Sequence, residues 1–268
     1  MRLTIIISAT VLRGAGAVGC HALDDGCLDM GDRVKGSGNV VKEVRSFGTL
    51  RGVHLATIGE LRVEVGEKDE LEIEMDDNLI PLIETTEKNG ILVIDSKPGT
   101  SIRTRSKIRF TLTVSSLENI RASSSGDIIA RDMTGDELEV SLSSSGDATI
   151  SSLDGKRISL STSSSGDIRI VSLTGGVAEA QLSSSGDVTI KEGLVKRQSV
   201  SISSSGDYDA LHLESNEAIV RTSSSGDARV WVTERLKAST SSSGSIHYRG
   251  DPRVTAQESS SGDVVHIR

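Results

Sequence analysis

The stretch LEVSLSSSGDATI, Leu138 to Ile150, decides how the chain folds. On its left Leu138, Val140 and Leu142 alternate with Glu139 and Ser141, and on its right Ala148 and Ile150 flank Thr149. An apolar residue at every second position marks a β-strand with one buried face. Two such strands therefore meet at the polar corner Ser143-Ser144-Ser145-Gly146-Asp147.

That corner recurs. The string SSSG occurs eight times, with its glycine at Gly126, Gly146, Gly166, Gly186, Gly206, Gly226, Gly244 and Gly262, spaced by 20 residues five times and then by 18 twice. Aspartate follows in seven copies, Asp127, Asp147, Asp167, Asp187, Asp207, Asp227 and Asp263, and Ser245 takes its place in the other. The apolar columns recur too, as Ile158, Leu160, Ile168 and Ile170, then as Ala178, Ala180, Leu182, Val188 and Ile190. A unit this short cannot bury its apolar side alone, so a fixed period of this length predicts stacked coils. The expected fold is all-β: a parallel β-helix (solenoid) of coils of about 20 residues, right-handed from the usual sense of parallel crossovers. Eight coils at the ~4.8 Å strand spacing would extend roughly 35 Å. Most coils should turn a second time at an apolar residue before a glycine, as in Leu153-Asp154-Gly155 and Leu173-Thr174-Gly175, and the 18-residue copies should lose two residues there.

Within the SSSG corner, glycine is expected to turn the chain with positive φ. The middle serines, Ser144 and its equivalents through Ser260, fall in phase with the inward columns. Carboxylates stacked ~5 Å apart repel one another. The favoured expectation is that each Asp caps its own turn by accepting backbone N–H bonds. The alternative is a calcium ladder along Asp127, Asp147, Asp167, Asp187, Asp207 and Asp227, although the repeat lacks the second glycine-rich turn of the nonapeptide calcium roll. No metal site is favoured and no cofactor is expected.

Upstream, Gly52 to Val63 reads as a degenerate coil, with Gly59-Glu60 where the later copies have Gly-Asp. Apolar strands at Leu71 to Met75, Ile91 to Asp95 and Ile108 to Val114, with a hairpin turn at Asn89-Gly90, are expected to cap the stack. At the N-terminus, Met1-Arg2 and the apolar run Leu3 to Leu12 resemble an export signal and are too short to span a bilayer. Two cleavage readings compete. Ala15-Gly16-Ala17 suits ordinary signal peptidase, whereas Ala17-Val18-Gly19-Cys20 resembles a lipobox that would place a lipid on Cys20. Without that lipid, Cys20 and Cys27 are available for a small disulfide. The chain thus divides into a signal peptide (1–19), a linker and N-terminal arm (20–46), a β-rich N-terminal part and cap (47–122), and the SSSGD β-helix (123–268).

The runs GSGNVVKEVRSF (Gly36 to Phe47) and MDDNLIPLIETTEKNGILVI (Met75 to Ile94), with the degenerate coil and the SSSGD repeats, resemble the bacterial family named putative auto-transporter adhesin, head GIN domain. The resemblance runs from about Gly36 to Arg268 and implies a β-helical protein of the cell envelope. One departure is that the family commonly has Ser-Gly-Ser-Gly-Asp at the corner, where every copy here has Ser for the first Gly.

The composition narrows the function. A net charge of −8 argues against nucleic acid as a partner, because that affinity rests on clustered Lys and Arg. The five histidines are scattered, His247 in an outward column and His266 in an inward one, and no serine stands in a nucleophile elbow. Arg169 and Arg229 each follow an Asp by two places and suit surface ion pairs. Tyr208 and Tyr248 fall inward, Trp231 outward. The expectation is an exported, non-enzymatic structural or adhesion module of the periplasm, outer membrane or cell surface, monomeric, touching the membrane only through a lipid on Cys20. It would present a repetitive polar surface to a polysaccharide or a surface protein, the competing class being a β-helix carbohydrate-active enzyme.

Overall fold

The computed structural model describes residues 33–259 and 261–267. The signal-peptide, lipobox and disulfide readings, with Cys20 and Cys27, and the middle serine Ser260 lie outside the described residues. In the N-terminal part the strands are β1 (Arg33–Lys35), β2 (Val40–Ser46), β3 (Gly52–Leu55), β4 (Glu60–Val65), β5 (Glu70–Asp76), β6 (Ile83–Lys88), β7 (Ile91–Ser96), β8 (Ser101–Arg103), β9 (Arg109–Val114) and β10 (Asn119–Ala122). A short 3-10 turn at Ile80–Leu82 precedes β6. The repeats supply β11 (Asp127–Leu142), β12 (Ala148–Thr162), β13 (Ile168–Leu182), β14 (Val188–Ile202), β15 (Tyr208–Thr222) and β16 (Ala228–Thr240), and the last turn holds β17 (Ile246–Arg249), β18 (Arg253–Glu258) and β19 (Val264–His266).

From β11 to β16 each strand lies parallel to the next in the register the period implies: Val140 opposes Leu160, Leu160 opposes Ala180 and Ala180 opposes Val200. The protein is an all-β solenoid of about 20-residue coils. The alternation places its core, since Leu138, Val140, Leu142, Ala148 and Ile150 are buried together with their equivalents in the following coils. Burying each Leu, Ile or Val contributes about 1.5–3 kcal/mol, and the neighbouring coil completes that burial.

The second corner differs from the expectation. β12 runs unbroken through Leu153-Asp154-Gly155, and its pairing with β13 skips only Ser151 and Lys156. The ladder is interrupted at those two residues and continues between them. Gly155 and Gly175 stay outside the left-handed region, and a Cβ on Gly175 would lie 2.1 Å from the Gly155 carbonyl oxygen. Stacking, rather than a turn, requires glycine there. The shortening of the last copies does fall in this segment: Ala210 opposes Val230, but Glu217 opposes Arg235.

In the N-terminal part, β3 and β4 form the degenerate coil, with Val53 against Ile120 and Leu61 against Ile128. Two segments expected as caps form a further coil instead. β7 lies parallel against β3, and β9 parallel against β4, so residues 91–114 stack outside the coil that precedes them in sequence. Capping falls to antiparallel strands: β5 on β9, β2 on β5 and β6 on β7. Asn89 and Gly90, with φ of 55° and 75°, close the β6–β7 hairpin with the left-handed pair that matches strand twist. β1 and β8 make a separate two-stranded sheet.

Besides the ladder through residues 152–155, these pairings define two faces. The first carries β2, β5, β9, β4, the starts of β11 to β16, β17 and β19. The second carries β6, β7, β3, β10, the ends of β11 to β16, and β18. The SSSG corner joins the second face of one coil to the first face of the next.

Candidate binding surfaces

At the corner the structure changes the reason for glycine. None of the SSSG glycines has a left-handed φ. A Cβ on Gly146 would lie 2.0 Å from the Gly126 carbonyl oxygen, and on Gly186 it would lie 2.2 Å from that of Gly166. The coils approach too closely for a side chain, and the Gly186 N–H donates to the Ser164 carbonyl at 2.9 Å. The middle serines, where the family commonly has glycine, are half-buried with their side chains in the inward phase, and their carbonyls from Ser144 onward accept these glycine N–H bonds.

The Asp column also differs from the expectation. From Asp127 to Asp227 each Asp caps the next coil rather than its own turn: Asp127 Oδ1 accepts the Asp147 N–H at 3.0 Å, and Asp167 Oδ1 accepts that of Asp187 at 2.9 Å. The series runs on through Asp147, Asp187 and Asp207. The cause is the ladder geometry. Each Asp carbonyl accepts the N–H one residue past the Asp of the preceding coil, as from Ile128 to Asp147, so the Asp N–H itself finds no carbonyl and takes the carboxylate below. Ser245 plays both parts, donating its N–H to Asp227 Oδ1 at 2.7 Å and accepting the Asp263 N–H on Oγ at 3.3 Å.

These donors relieve the repulsion along the column. Arg169 adds a cation, reaching Asp147 at 2.8 Å and Asp167 at 2.5 Å. Burial alone would raise the Asp147 pKa, but the Asp167 N–H and the Arg169 guanidinium outweigh it and hold the carboxyl below its ordinary value. Arg229 does not pair with Asp227 as expected; its nearest carboxylate is Asp209, opposite it in the ladder, at 3.8 Å. Among the described residues, no three His, Cys, Asp or Glu side chains converge in metal-ligating geometry.

The second face holds a concavity that the repeat motif does not announce. A groove of about 490 Å³ is lined by Arg51, Glu118, Asn119, Glu139, Arg157 and Glu179 around a floor of Ser159 and Ser161, with Gln181 beyond. Asn119, Glu139, Ser159 and Glu179 stand in one outward register column, and Ser161 and Gln181 in another, Arg121–Ser141–Ser161–Gln181. The two serines leave the depression between longer neighbours. Glu139 accepts from Asn119 Nδ2 at 2.6 Å and from Arg121 at 2.8 Å, while Arg157 donates to Glu179 at 3.0 Å. Because Glu139 holds the Asn119 amide nitrogen, Asn119 Oδ1 is buried without a hydrogen-bond partner. A smaller hollow of about 240 Å³ continues along the face and shares Ser161 and Gln181 with the groove before reaching Ser201 and Ser203.

The remaining singled-out residues are structural. Tyr208 is buried and donates to Gln198 Oε1 at 2.9 Å, in a core network that continues to Ser215. Tyr248 stacks on His266 at 4.9 Å in the last coil, and His247 lies in a different column. Trp231 is half-buried beneath the Arg249 guanidinium, 4.4 Å from its ring centre.

A family model described as putative auto-transporter adhesin, head GIN domain, matches residues 49–252. Among solved structures, the chain is similar to a putative adhesin from Parabacteroides merdae (TM-score 0.82, 22% identity) and to another from Parabacteroides distasonis (0.83, 24%). It is also similar to a putative lipid binding protein from Parabacteroides distasonis (0.81, 22%). Each alignment covers 88% of this chain and 100% of the other. At this identity the likeness shows the shared fold. Comparison with curated proteins finds no match.

Proposed function

Because the chain belongs to the putative auto-transporter adhesin, head GIN domain family, we propose that it is an exported, non-enzymatic binding module of the cell envelope that presents its polar solenoid surface to a polysaccharide or a surface protein. The observation that carries this reading is the second face, where outward side chains stand in unbroken columns one coil apart and form a groove of hydrogen-bonding groups on a rigid sheet. Repetition at a fixed strand spacing suits a partner that is itself extended and repetitive. The N-terminal signal reading supports export, and acylation of Cys20 would tether a single copy to the membrane.

Immobilised glycans, envelope polysaccharides and surface proteins, probed with the purified chain, test the proposal. Retention without turnover supports an adhesion module. Release of shortened sugar products would establish a carbohydrate-active enzyme instead. Mass spectrometry of the mature N-terminus reads the state of Cys20.

A further inference from the structure

The geometry points to a specific occupant: we propose that the groove on the second face is a subsite for a neutral oligosaccharide. This deepens the binding role proposed above and rests on it.

Extent comes first. The groove and the smaller hollow share Ser161 and Gln181, so one polar strip crosses from the coil of Asn119 to that of Ser199 and Ser201. Those coils are four register steps apart, on the order of 19 Å at ~4.8 Å per step. A strip of that length fits a chain rather than a single small molecule.

Charge narrows the class. Four carboxylates, Glu118, Glu137, Glu139 and Glu179, face two guanidiniums, Arg51 and Arg157, with a third, Arg121, paired to Glu139 beside the groove. The net negative balance opposes an anionic ligand such as a phosphate or uronate chain, and the guanidiniums oppose a polycation. What remains is a partner that both donates and accepts hydrogen bonds without carrying charge. Sugar hydroxyls do this, donating to carboxylates and accepting from guanidinium and amide N–H groups.

The floor admits such a ligand. Ser159 and Ser161, short and outward, let a sugar ring approach the sheet.

The test is calorimetric titration of the full chain with cellohexaose, maltohexaose, mannohexaose and chitohexaose, with oligogalacturonate as the acidic comparator. At least one neutral hexasaccharide should bind, and oligogalacturonate should not. Ser159→Arg, which fills the floor, and Asn119→Ala, which removes the amide from the groove lining, should each weaken that binding at least tenfold, while Thr149→Arg on the first face leaves it unchanged. Amide shifts on ligand addition should cluster at residues 119, 139, 159 and 179, a readout that does not depend on the variants folding. Shifts confined to other surfaces, or equal affinity in both groove variants, would overturn the placement. Preference for oligogalacturonate would overturn the ligand class. Failure of every neutral hexasaccharide, with retention on immobilised surface proteins intact, defeats this subsite and spares the adhesion role; failure on all surfaces defeats both.

Discussion

Replacing Gly186 with alanine separates two explanations of the corner. If glycine is needed for backbone freedom, the cost is that of a left-handed φ; if it is needed for close stacking, the cost is a collision between coils. The structure predicts the collision. The added Cβ would sit 2.2 Å from the Gly166 carbonyl oxygen and 2.9 Å from that of Ser164, where ordinary C···O contacts are ~3.3–3.6 Å. Relieving an overlap of about 1 Å means parting the two coils locally. That stretches the Gly186 N–H bond to Ser164 and the Asp187 N–H bond to Asp167, both 2.9 Å. Two hydrogen bonds at about 1–1.5 kcal/mol each, with overpacking of about 1–3 kcal/mol, predict a loss of about 3–6 kcal/mol. Gly99→Ala is the control, because Gly99 has φ +73° and nothing within 4 Å of its would-be Cβ. Its cost should be about 1–2 kcal/mol of strain alone. Urea unfolding of both variants measures the difference, and hydrogen exchange at the amides of residues 186 and 187 localises it. A Gly186→Ala variant no less stable than Gly99→Ala would refute the stacking explanation.

Three further outcomes follow from the same corner. Asp187→Ala leaves the Asp207 N–H without an acceptor and should cost about 1–3 kcal/mol in chemical denaturation, of which Asp187→Ser should recover part, as Ser245 does naturally. The folded-state pKa of Asp147 lies below its ordinary 3.8, so its stabilisation is complete above that pH and is lost as pH falls through the folded value. Thermal melts from pH 5 to 2 should show this loss, and Arg169→Ala should make it smaller. Calcium titration should give no heat, and chelator should leave the melting temperature unmoved, because the Asp column from Asp127 to Asp227 already spends Oδ1 on the next coil's N–H; a chelator-sensitive melt would establish the calcium ladder.

Alternation and period suffice for most of the fold because they report burial directly. Val140, Leu160, Ala180 and Val200 share a phase in the sequence and a column in the core. Asn89-Gly90 is legible for a related reason, since few residue pairs accept two left-handed conformations in succession. Glycine itself is ambiguous: a turn and a close approach both demand it, and only coordinates distinguish Gly99 from Gly186. The partner of each Asp was hidden because its acceptor role crosses coils instead of staying in the local turn. Coil order in the N-terminal part was hidden as well, because β7 and β9 stack outside the strands that precede them and nothing local encodes that. The groove was partly legible. Asn119, Glu139, Ser159 and Glu179 are spaced by 20 residues, so the register that found the core also aligns them, but a depression arises only from the contrast between short and long side chains in neighbouring columns.

Parallel stacking in register is the claim on which the rest depends, and spin-label distances test it directly. One outward column runs Arg121–Ser141–Ser161–Gln181–Ser201–Arg221–Ser239. With one label at position 239 and the other at 121, 141 or 161, the separations should be roughly 29, 24 and 19 Å, falling by about 5 Å per coil. Distances that fail to fall in equal steps, or that alternate as antiparallel hairpins would make them, would contradict the solenoid and the binding surface built on it.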